Sequence, residues 1–545
     1  MWAQNYDPLG NAYLSTGIAV MPAVVMLVLI AFVRMRVHFA ALTGLGLSLA
    51  VALFMYHMPW KMAGASCVYG AAFGLFPISW ILINVVFLYQ LTVERGHFEV
   101  LRQSLARLAP DPRIQLILIA FSFGAFLEGM AGFGAPVAIT AAILIELGFK
   151  PVHACGLALI ANTAPVAFGS MGIPITTLGQ VSGLDPRLLS AMAGRQLSFF
   201  ALLLPFWIVT TYAGWRGMLG VWPVALTAGL SFGIPQFLIS NYHGPWLVGA
   251  GSGVASILGI VVLLRFWKPA AIWSVEGETQ VAKTAKRDYT TAEMIQSWLP
   301  WIMLTVCIFV WGMPQVGAAL DKIFLHKIPM PGLNKLVMRM PPIARNGGRP
   351  EPAIFSFNLL SATGTGMLLG SIIAGLTMGF SFTKMAAIYF RTLRQISLSL
   401  LTIAAMLAFG NVVKYSGADA TMGLALAHTG VLYPFFGTLL GWLGVFLTGS
   451  DTSSNVLFGS LQVITAQQTG LSPILMASAN SAGGVMGKML AAQSIVTATT
   501  ATNCYGEEPR ILRFVFFHSV ALVVLMGVLV FLQAHVPPIS WMVIK

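Results

Sequence analysis

Apolar residues along this chain fall into blocks of about twenty, the length needed to cross the hydrocarbon core of a bilayer as a helix. Such blocks lie near 13–33, 38–57, 68–91, 152–181, 196–213, 217–240, 246–266, 298–316, 354–379, 395–413, 472–499 and 514–534. The pattern predicts an all-α polytopic membrane protein with about 12 transmembrane helices. Two further apolar stretches, 114–149 and 431–470, break the template. Polar and small residues interrupt them, at Glu128-Gly129 and at Thr448-Gly449-Ser450-Asp451, and each is short for two crossings. They are expected to be re-entrant hairpins, because irregular backbone at membrane depth is tolerated only inside protein or beside a cavity.

The chain also echoes itself. Gly124-Ala-Phe-Leu-Glu-Gly129 matches Gly444-Val-Phe-Leu-Thr-Gly449, Gly148-Phe-Lys-Pro151 matches Gly470-Leu-Ser-Pro473, and Ala161-Asn-Thr-Ala164 matches Ala479-Asn-Ser-Ala482. Gly169 falls against Gly487, and the offsets stay between 318 and 322 residues. Seven expected spans separate the hairpins, so the two enter from opposite sides and the repeat is inverted. The expected division is a first repeat at 1–216, linking spans and a cytoplasmic loop at 217–296, and a second repeat at 297–545. Interrupted helices at the interface of an inverted repeat are the architecture of secondary transporters, with substrate held near the midplane.

Charge fits this picture and narrows it. Of 545 residues, 57% are hydrophobic and 9% charged, against about 25% charged in soluble domains. A water-soluble enzyme is excluded. The net charge of +13 comes from basic residues in loops beside apolar blocks, which is an orientation signal and not a nucleic-acid patch. With the N-terminus outside, 18 Lys and Arg fall inside and 11 outside, six of the latter in the loop 317–352. The first residues carry no positive run, so the first block is expected to stay as an anchor. The four cysteines lack metal spacing, and no nucleotide loop or hydrolase motif appears. Gly249-Ala-Gly251-Ser-Gly253 lies within a span and reads as close helix packing. No cofactor or metal is called for, and uphill transport would draw on an ion gradient.

A charge at the bilayer centre costs about 2.5–3.5 kcal/mol on insertion scales, so ionisable residues away from loops point to function. Glu146 sits beside a hairpin end and is expected to reach the interface. Glu128, at the first hairpin break among Gly129, Gly132 and Gly134, is the expected proton carrier. Asp451 is the second acid, within a hydroxyl-rich run that includes Thr448, Ser450 and Ser453. Amides at the start of a helix after this break would favour an anion. Asn162 and Asn480 occupy matching repeat positions, with Thr163 beside the first. Pro165 and Gly483-Gly484 are expected to break their helices. Lys488 is the single cation inside a span, placed to meet a substrate carboxylate or to pair with Glu128 or Asp451.

The stretches 124–140, 162–169 (Asn-Thr-Ala-Pro-Val-Ala-Phe-Gly) and 441–455 (Gly-Trp-Leu-Gly-Val-Phe-Leu-Thr-Gly-Ser-Asp-Thr-Ser-Ser-Asn) closely resemble the lactate permease family of bacteria. The likeness runs from Gln4-Asn5-Tyr6-Asp7-Pro8 to the last span. It implies a multi-pass inner-membrane symporter that carries lactate, and often glycolate, with a proton. Small 2-hydroxy monocarboxylates, protons and membrane lipid are then its partners, with no nucleic acid, and no dimer is required. One departure stands out: Lys488-Met-Leu-Ala-Ala-Gln493-Ser replaces an expected Lys-Met-Ile-Ser-Pro-Gln-Ser. Gln493 is counted with the substrate-binding residues on that motif. A sodium-coupled carboxylate transporter, with Asp451 and the hydroxyl run holding the cation, is the rival reading.

Overall fold

The computed structural model describes residues 1–545 apart from 32, 34, 101–107, 131, 133–134, 274–289, 345–347, 503, 505–506 and 545. Ala131, Phe133 and Gly134 of the first hairpin, and Arg34, Arg102, Arg107, Lys283, Lys286, Arg287 and Arg345 among the orienting charges, lie outside the described residues. The helices are α1 (Ala12–Ala31), α2 (Val37–Ala50), α3 (Trp60–Phe73), α4 (Trp80–Arg95), α5 (Pro112–Met130), α6 (Ala135–Glu146), α7 (Pro151–Ala161), α8 (Gly169–Ser182) and α9 (Pro186–Leu219). There follow α10 (Trp222–Tyr242), α11 (Val248–Phe266), α12 (Thr291–Gly312), α13 (Pro314–Ile323), α14 (Thr363–Thr377), α15 (Phe382–Ser416) and α16 (Ala418–Ala427). The chain ends with α17 (Tyr433–Thr448), α18 (Asp451–Gln468), α19 (Pro473–Gly487), α20 (Ala492–Ala501) and α21 (Glu508–His535). Among the described residues nine helices are long and apolar enough to cross a membrane, or up to eleven if each of two bent pairs is one span. The protein is a polytopic α-helical membrane protein.

One succession of elements occurs twice. Helix, break, helix, then helix, break, helix, then a long helix describes α5–α6, α7–α8 and α9, and again α17–α18, α19–α20 and α21. Contacts sort the connecting segments into two groups. Glu94 pairs with Lys384 and Arg391, Arg113 donates to the carbonyls of Gly217 and Ala271, and Cys155 meets Thr502. At the other face, β1 (Trp2–Ala3) pairs in parallel with β3 (Val337–Arg339). There too Gln468 donates to the carbonyl of Pro342, and Ser472 and Arg195 bond the C-terminal tail at Ile544 and Met542. The ends of α5 and α7 thus fall with the first group, and the ends of α18 and α19 with the second.

Backbone contact holds the hairpins in place. Helix α5 is 94% buried over its apolar window, against 28–50% for the other eight spans, so it runs through the centre of the molecule. It can do so because glycine meets glycine: a Cβ on Gly129 would lie 2.3 Å from the Ala250 nitrogen, and one on Gly253 would lie 2.6 Å from that of Phe126. The Gly249–Gly253 run is therefore a packing surface, as expected. On the second hairpin, a Cβ on Gly441 would lie 1.9 Å from the Asn480 carbonyl oxygen, and one on Gly487 would lie 2.3 Å from that of Trp442.

Three expectations change. The segment 317–352 is not a plain loop: it carries α13, β2 (His326–Pro329), β3 and β4 (Arg349–Pro350). The block at 354–379 opens with strand β5 (Ile354–Phe357), which pairs with β2, and its helix covers only Thr363–Thr377. The β-branched and aromatic residues of Ile354-Phe355-Ser356-Phe357 suit a strand, and Phe355 packs edge-on against Phe73 at 5.2 Å. Leu333, Val337 and Ala353 form a small second core with Met58, Val412 and Tyr415. Arg339 bridges Glu351 at 3.0 Å, and Lys414 reaches the same carboxylate at 3.3 Å. Burial pushes the Tyr6 hydroxyl up to about 12, so it stays neutral while it accepts from the Met340 amide. The third change concerns Gly483-Gly484, which do not break their helix. Helix α19 runs through them to Gly487, because a side chain on Gly483 would strike the Thr438 carbonyl at 2.3 Å, and the pair is used for close approach.

Gly441→Ala should destabilise the protein by about 1–3 kcal/mol, since the blocking atom is backbone and cannot step aside. Gly46→Ala, with nothing within 4 Å of its Cβ position, should melt with the wild type in a detergent thermal-shift assay.

Candidate functional site

The two broken helix pairs and the two hairpin tips meet at one internal cavity. It measures about 60 Å³ and is lined by Glu128, Val166, Gly169, Ser170, Ile173, Pro174, Gly449, Ser450, Asp451, Thr452 and Lys488. Three of the four ionisable residues singled out from the sequence line it. The fourth, Glu146, is exposed at the end of α6.

On one side of the cavity, α7 ends at Asn162, a turn and a short 3₁₀ segment (Val166–Phe168) follow, and the chain then winds left-handed through Ser170, Met171 and Gly172 (φ 44°, 57° and 75°). Left-handed turns cost L-residues about 1–2 kcal/mol each and persist where packing over-determines them. Here a Cβ on Gly172 would lie 2.7 Å from the Pro245 carbonyl, so the turn is wedged in place. The axis bends by 65° between α7 and the helical stretch after the break. Glu128 is 4% exposed, and its Oε2 accepts from Asn162 Nδ2 at 3.1 Å. Its Oε1 lies 2.7 Å from where a Gly169 Cβ would stand, so only glycine leaves it room. Asn162 Oδ1 and Thr163 Oγ1 are buried with no partner among the described residues.

The other side carries the second acid and the cation. Gly449 ends α17 in a left-handed conformation (φ 75°), and Ser450 caps α18 by accepting from the Ser453 amide. Thr448 Oγ1 accepts from the Ser450 amide and donates to the Gly444 carbonyl. Thr448 and Ser453 thus shape the tip and do not line the cavity. Asp451 Oδ2 accepts from Ser481 Oγ at 2.5 Å and from Asn455 Nδ2 at 3.4 Å, while Oδ1 has no partner. Helix α19 gives way to a 3₁₀ turn at Lys488–Leu490 and to extended backbone at Ala491, so the second break forms even with Ala491-Ala492 in place of Ser-Pro. Lys488, 8% exposed, donates from Nζ to the Gly449 carbonyl at 2.6 Å. Among the described residues it makes no ion pair within 4.0 Å with either acid.

Repeat symmetry shows what sequence reasoning missed. The offset that sets Gly169 against Gly487 also sets Ser170 against Lys488, and both line the cavity. Asn480 is fully buried and spends both donors and its acceptor on Asn455, Ser454 and Gln462, away from the cavity lining. The side chain of Gln493 lies outside the described residues. Among those described, no cluster of three His, Cys, Asp or Glu side chains could hold a metal ion.

A family model for L-lactate permease matches residues 15–537. The chain is 43% identical to the L-lactate permease of Salmonella typhimurium, covering 100% of both chains. It is 43% identical to the glycolate permease GlcA of Escherichia coli over 98% of each chain, and 40% identical to the L-lactate permease of Bacillus subtilis over 99% of this chain and all of that one. Among solved structures the Alcanivorax borkumensis YdaH transporter aligns over 87% of each chain with a TM-score of 0.45 and 12% identity, too loose a match to bear on the site. A cavity built by two hairpin tips and two broken helices, in a chain matched end to end by permeases, makes this protein a membrane transporter and not an enzyme; it belongs to the L-lactate permease family.

Proposed function

We propose that this chain imports L-lactate, and with it D-lactate or glycolate, together with a proton across the bacterial inner membrane. The observation that carries this reading is the charge inventory of the cavity: two carboxylates, Glu128 and Asp451, and one ammonium, Lys488. With all three ionised the site holds one net negative charge. A monocarboxylate alone would double it in a buried place, where uncompensated charge is expensive. A monocarboxylate plus one proton leaves it unchanged. The cavity is thus suited to the pair and hostile to the anion alone.

Roles follow from the free valences. Lys488 and the first amides of α18 supply partners for the substrate carboxylate, the helix N-terminus adding its partial positive charge. Asn162 Oδ1, buried and unpartnered beside Glu128, accepts from a 2-hydroxyl group. That contact favours hydroxy acids over plain carboxylates. Glu128 has one hydrogen-bond donor in place, and we assign it the proton. The two groups of face contacts and the doubled succession of helices support an inverted repeat, with 1–216 and 297–545 as its halves and 217–296 linking them. Rocking of one half on the other would open the cavity to each face in turn. The Gly449 carbonyl at the second hairpin tip takes the Lys488 ammonium, which disfavours a sodium ion on that oxygen.

Three measurements in proteoliposomes check these roles. Glu128→Gln should abolish lactate uptake driven by a pH gradient while retaining exchange of labelled for unlabelled lactate; uptake that still follows the gradient would reassign the proton. Lys488→Gln should raise the KM for lactate about 10- to 100-fold, the loss expected for one hydrogen bond to a charged group, and an unchanged KM would remove Lys488 from the substrate. Propionate, which lacks the hydroxyl, should compete at least about tenfold more weakly than lactate, and Asn162→Ala should erase most of that difference. Equal competition in the wild type would contradict the hydroxyl contact.

A further inference from the structure

A chain of buried side chains runs from the end of the second hairpin to the cavity. Tyr433 Oη donates to Gln462 Oε1 at 2.6 Å, Gln462 Nε2 to Asn480 Oδ1 at 3.1 Å, and Asn480 Nδ2 to Asn455 Oδ1 at 3.0 Å. Asn455 Nδ2 then donates to Asp451 Oδ2 at 3.4 Å. All four side chains before Asp451 are fully buried. The direction of each amide is not a free choice. Gln462 Nε2 also faces the Gly437 carbonyl at 2.7 Å, Asn480 Nδ2 that of Ser454 at 3.4 Å, and Asn455 Nδ2 that of Pro174 at 3.2 Å. Backbone carbonyls only accept, so every amide must turn its N–H the same way.

We propose that Asn455 is a positioning residue for transport: with Asn480, Gln462 and Tyr433 it forms a one-way series of donors that fixes Asp451 as an acceptor and leaves the exchangeable proton to Glu128. The inference rests on the proton-coupled reading above and assigns which acid does the work. Three features carry it. Aligned hydrogen bonds polarise one another in a low-dielectric interior, so the last N–H favours an ionised Asp451. Carboxamides are neither acids nor bases near neutral pH, so the series orients and does not conduct protons. Among the described residues the first repeat shows no such backing: Glu128 takes one amide, and that amide's oxygen has no partner there. Asn455 also joins the two repeats, because its second acceptor, Pro174, belongs to α8. The charged groups around Asp451 are Lys488 and Glu128 at the cavity. Tyr433 closes the far end of the series, and Asp419 bonds Ser460 further along α18.

The test is lactate exchange at equal pH on both sides of proteoliposomes, scanned from about pH 5 to about pH 8. Asn455→Asp keeps the shape and replaces the donor with an acid. The acid limb of the profile should move up by about one pH unit, the worth of one hydrogen bond to a charged group. The swap Asn455→Asp with Asp451→Asn, which restores one acid and one amide, should return it toward the wild type. Gln462→Glu, remote from the cavity, should move the limb in the same direction by a smaller amount, with KM for lactate unchanged, and decides the matter alone if Asn455→Asp does not reach the membrane. Profiles of Asn455→Asp and Gln462→Glu that superimpose on the wild type would overturn the inference. A wild-type profile that is flat throughout would instead overturn proton coupling itself.

Discussion

A helix that stops inside a bilayer strands N–H and C=O groups that lipid cannot satisfy, and in this protein broken helices converge on one cavity. Their satisfaction determines the rest of the structure. Ser450 and Thr448 close one tip through the amides of Ser453 and Ser450. The Gly449 carbonyl is met by an ammonium carried on the opposing broken helix. Glycines at 129, 249, 253, 441, 483 and 487 let neighbouring backbones press against the broken elements and keep lipid away. Among the described residues, the buried polar atoms without a partner include Asp451 Oδ1 at the cavity and Asn162 Oδ1 beside Glu128.

The doubled architecture supplies symmetry, and function lies in its departures. The sequence offset sets Ser170 against Lys488, so the cavity lining is polar on one side and cationic on the other. The amide at 162 meets an acid directly, whereas its counterpart at 480 is consumed in a hydrogen-bonded series that ends on the other acid. Two carboxylates in one cavity thereby acquire different surroundings, which fits our assignment of the exchanging proton to one of them. The left-handed turn at Ser170–Gly172 is a further departure, and it belongs to the side whose acid we assign to the proton.

Much of this was legible in the sequence because burial of charge in a membrane is costly enough to expose its own purpose. Glu128, Asp451 and Lys488 stood out for that reason, and all three line one cavity. The second hairpin's break was legible because Gly, Ser and Thr interrupt an otherwise unbroken apolar run, whereas in the first hairpin the helix continues through Glu128 and Gly129 to Met130. Residue types with two uses were harder. Gly483-Gly484 resembled a helix break and proved to be a surface for close approach. Thr448 and Ser453 resembled ligands; here the Thr448 hydroxyl accepts from the Ser450 amide, and the Ser453 amide donates to the Ser450 cap. Asn455 carried little signal beyond its i,i+4 spacing from Asp451, since its other partners come from α8 and α19 and only the fold brings those together. The strand at 354–357 was hidden because a short apolar stretch at the edge of an apolar block reads as part of the span, and that at 326–329 because His-Lys-Ile-Pro carries no strand pattern.

The central claim is that the cavity carries the same charge empty and loaded, which requires one proton with each monocarboxylate. The most direct measurement is the initial rate of lactate uptake under a fixed pH gradient with the membrane potential clamped at different values by potassium and valinomycin. The account predicts a rate that does not change with potential, although a potential does work of about 2.3 kcal/mol on each charge moved per 100 mV. A rate that rises steeply with an inside-negative potential would mean that net positive charge crosses with lactate, and would contradict it.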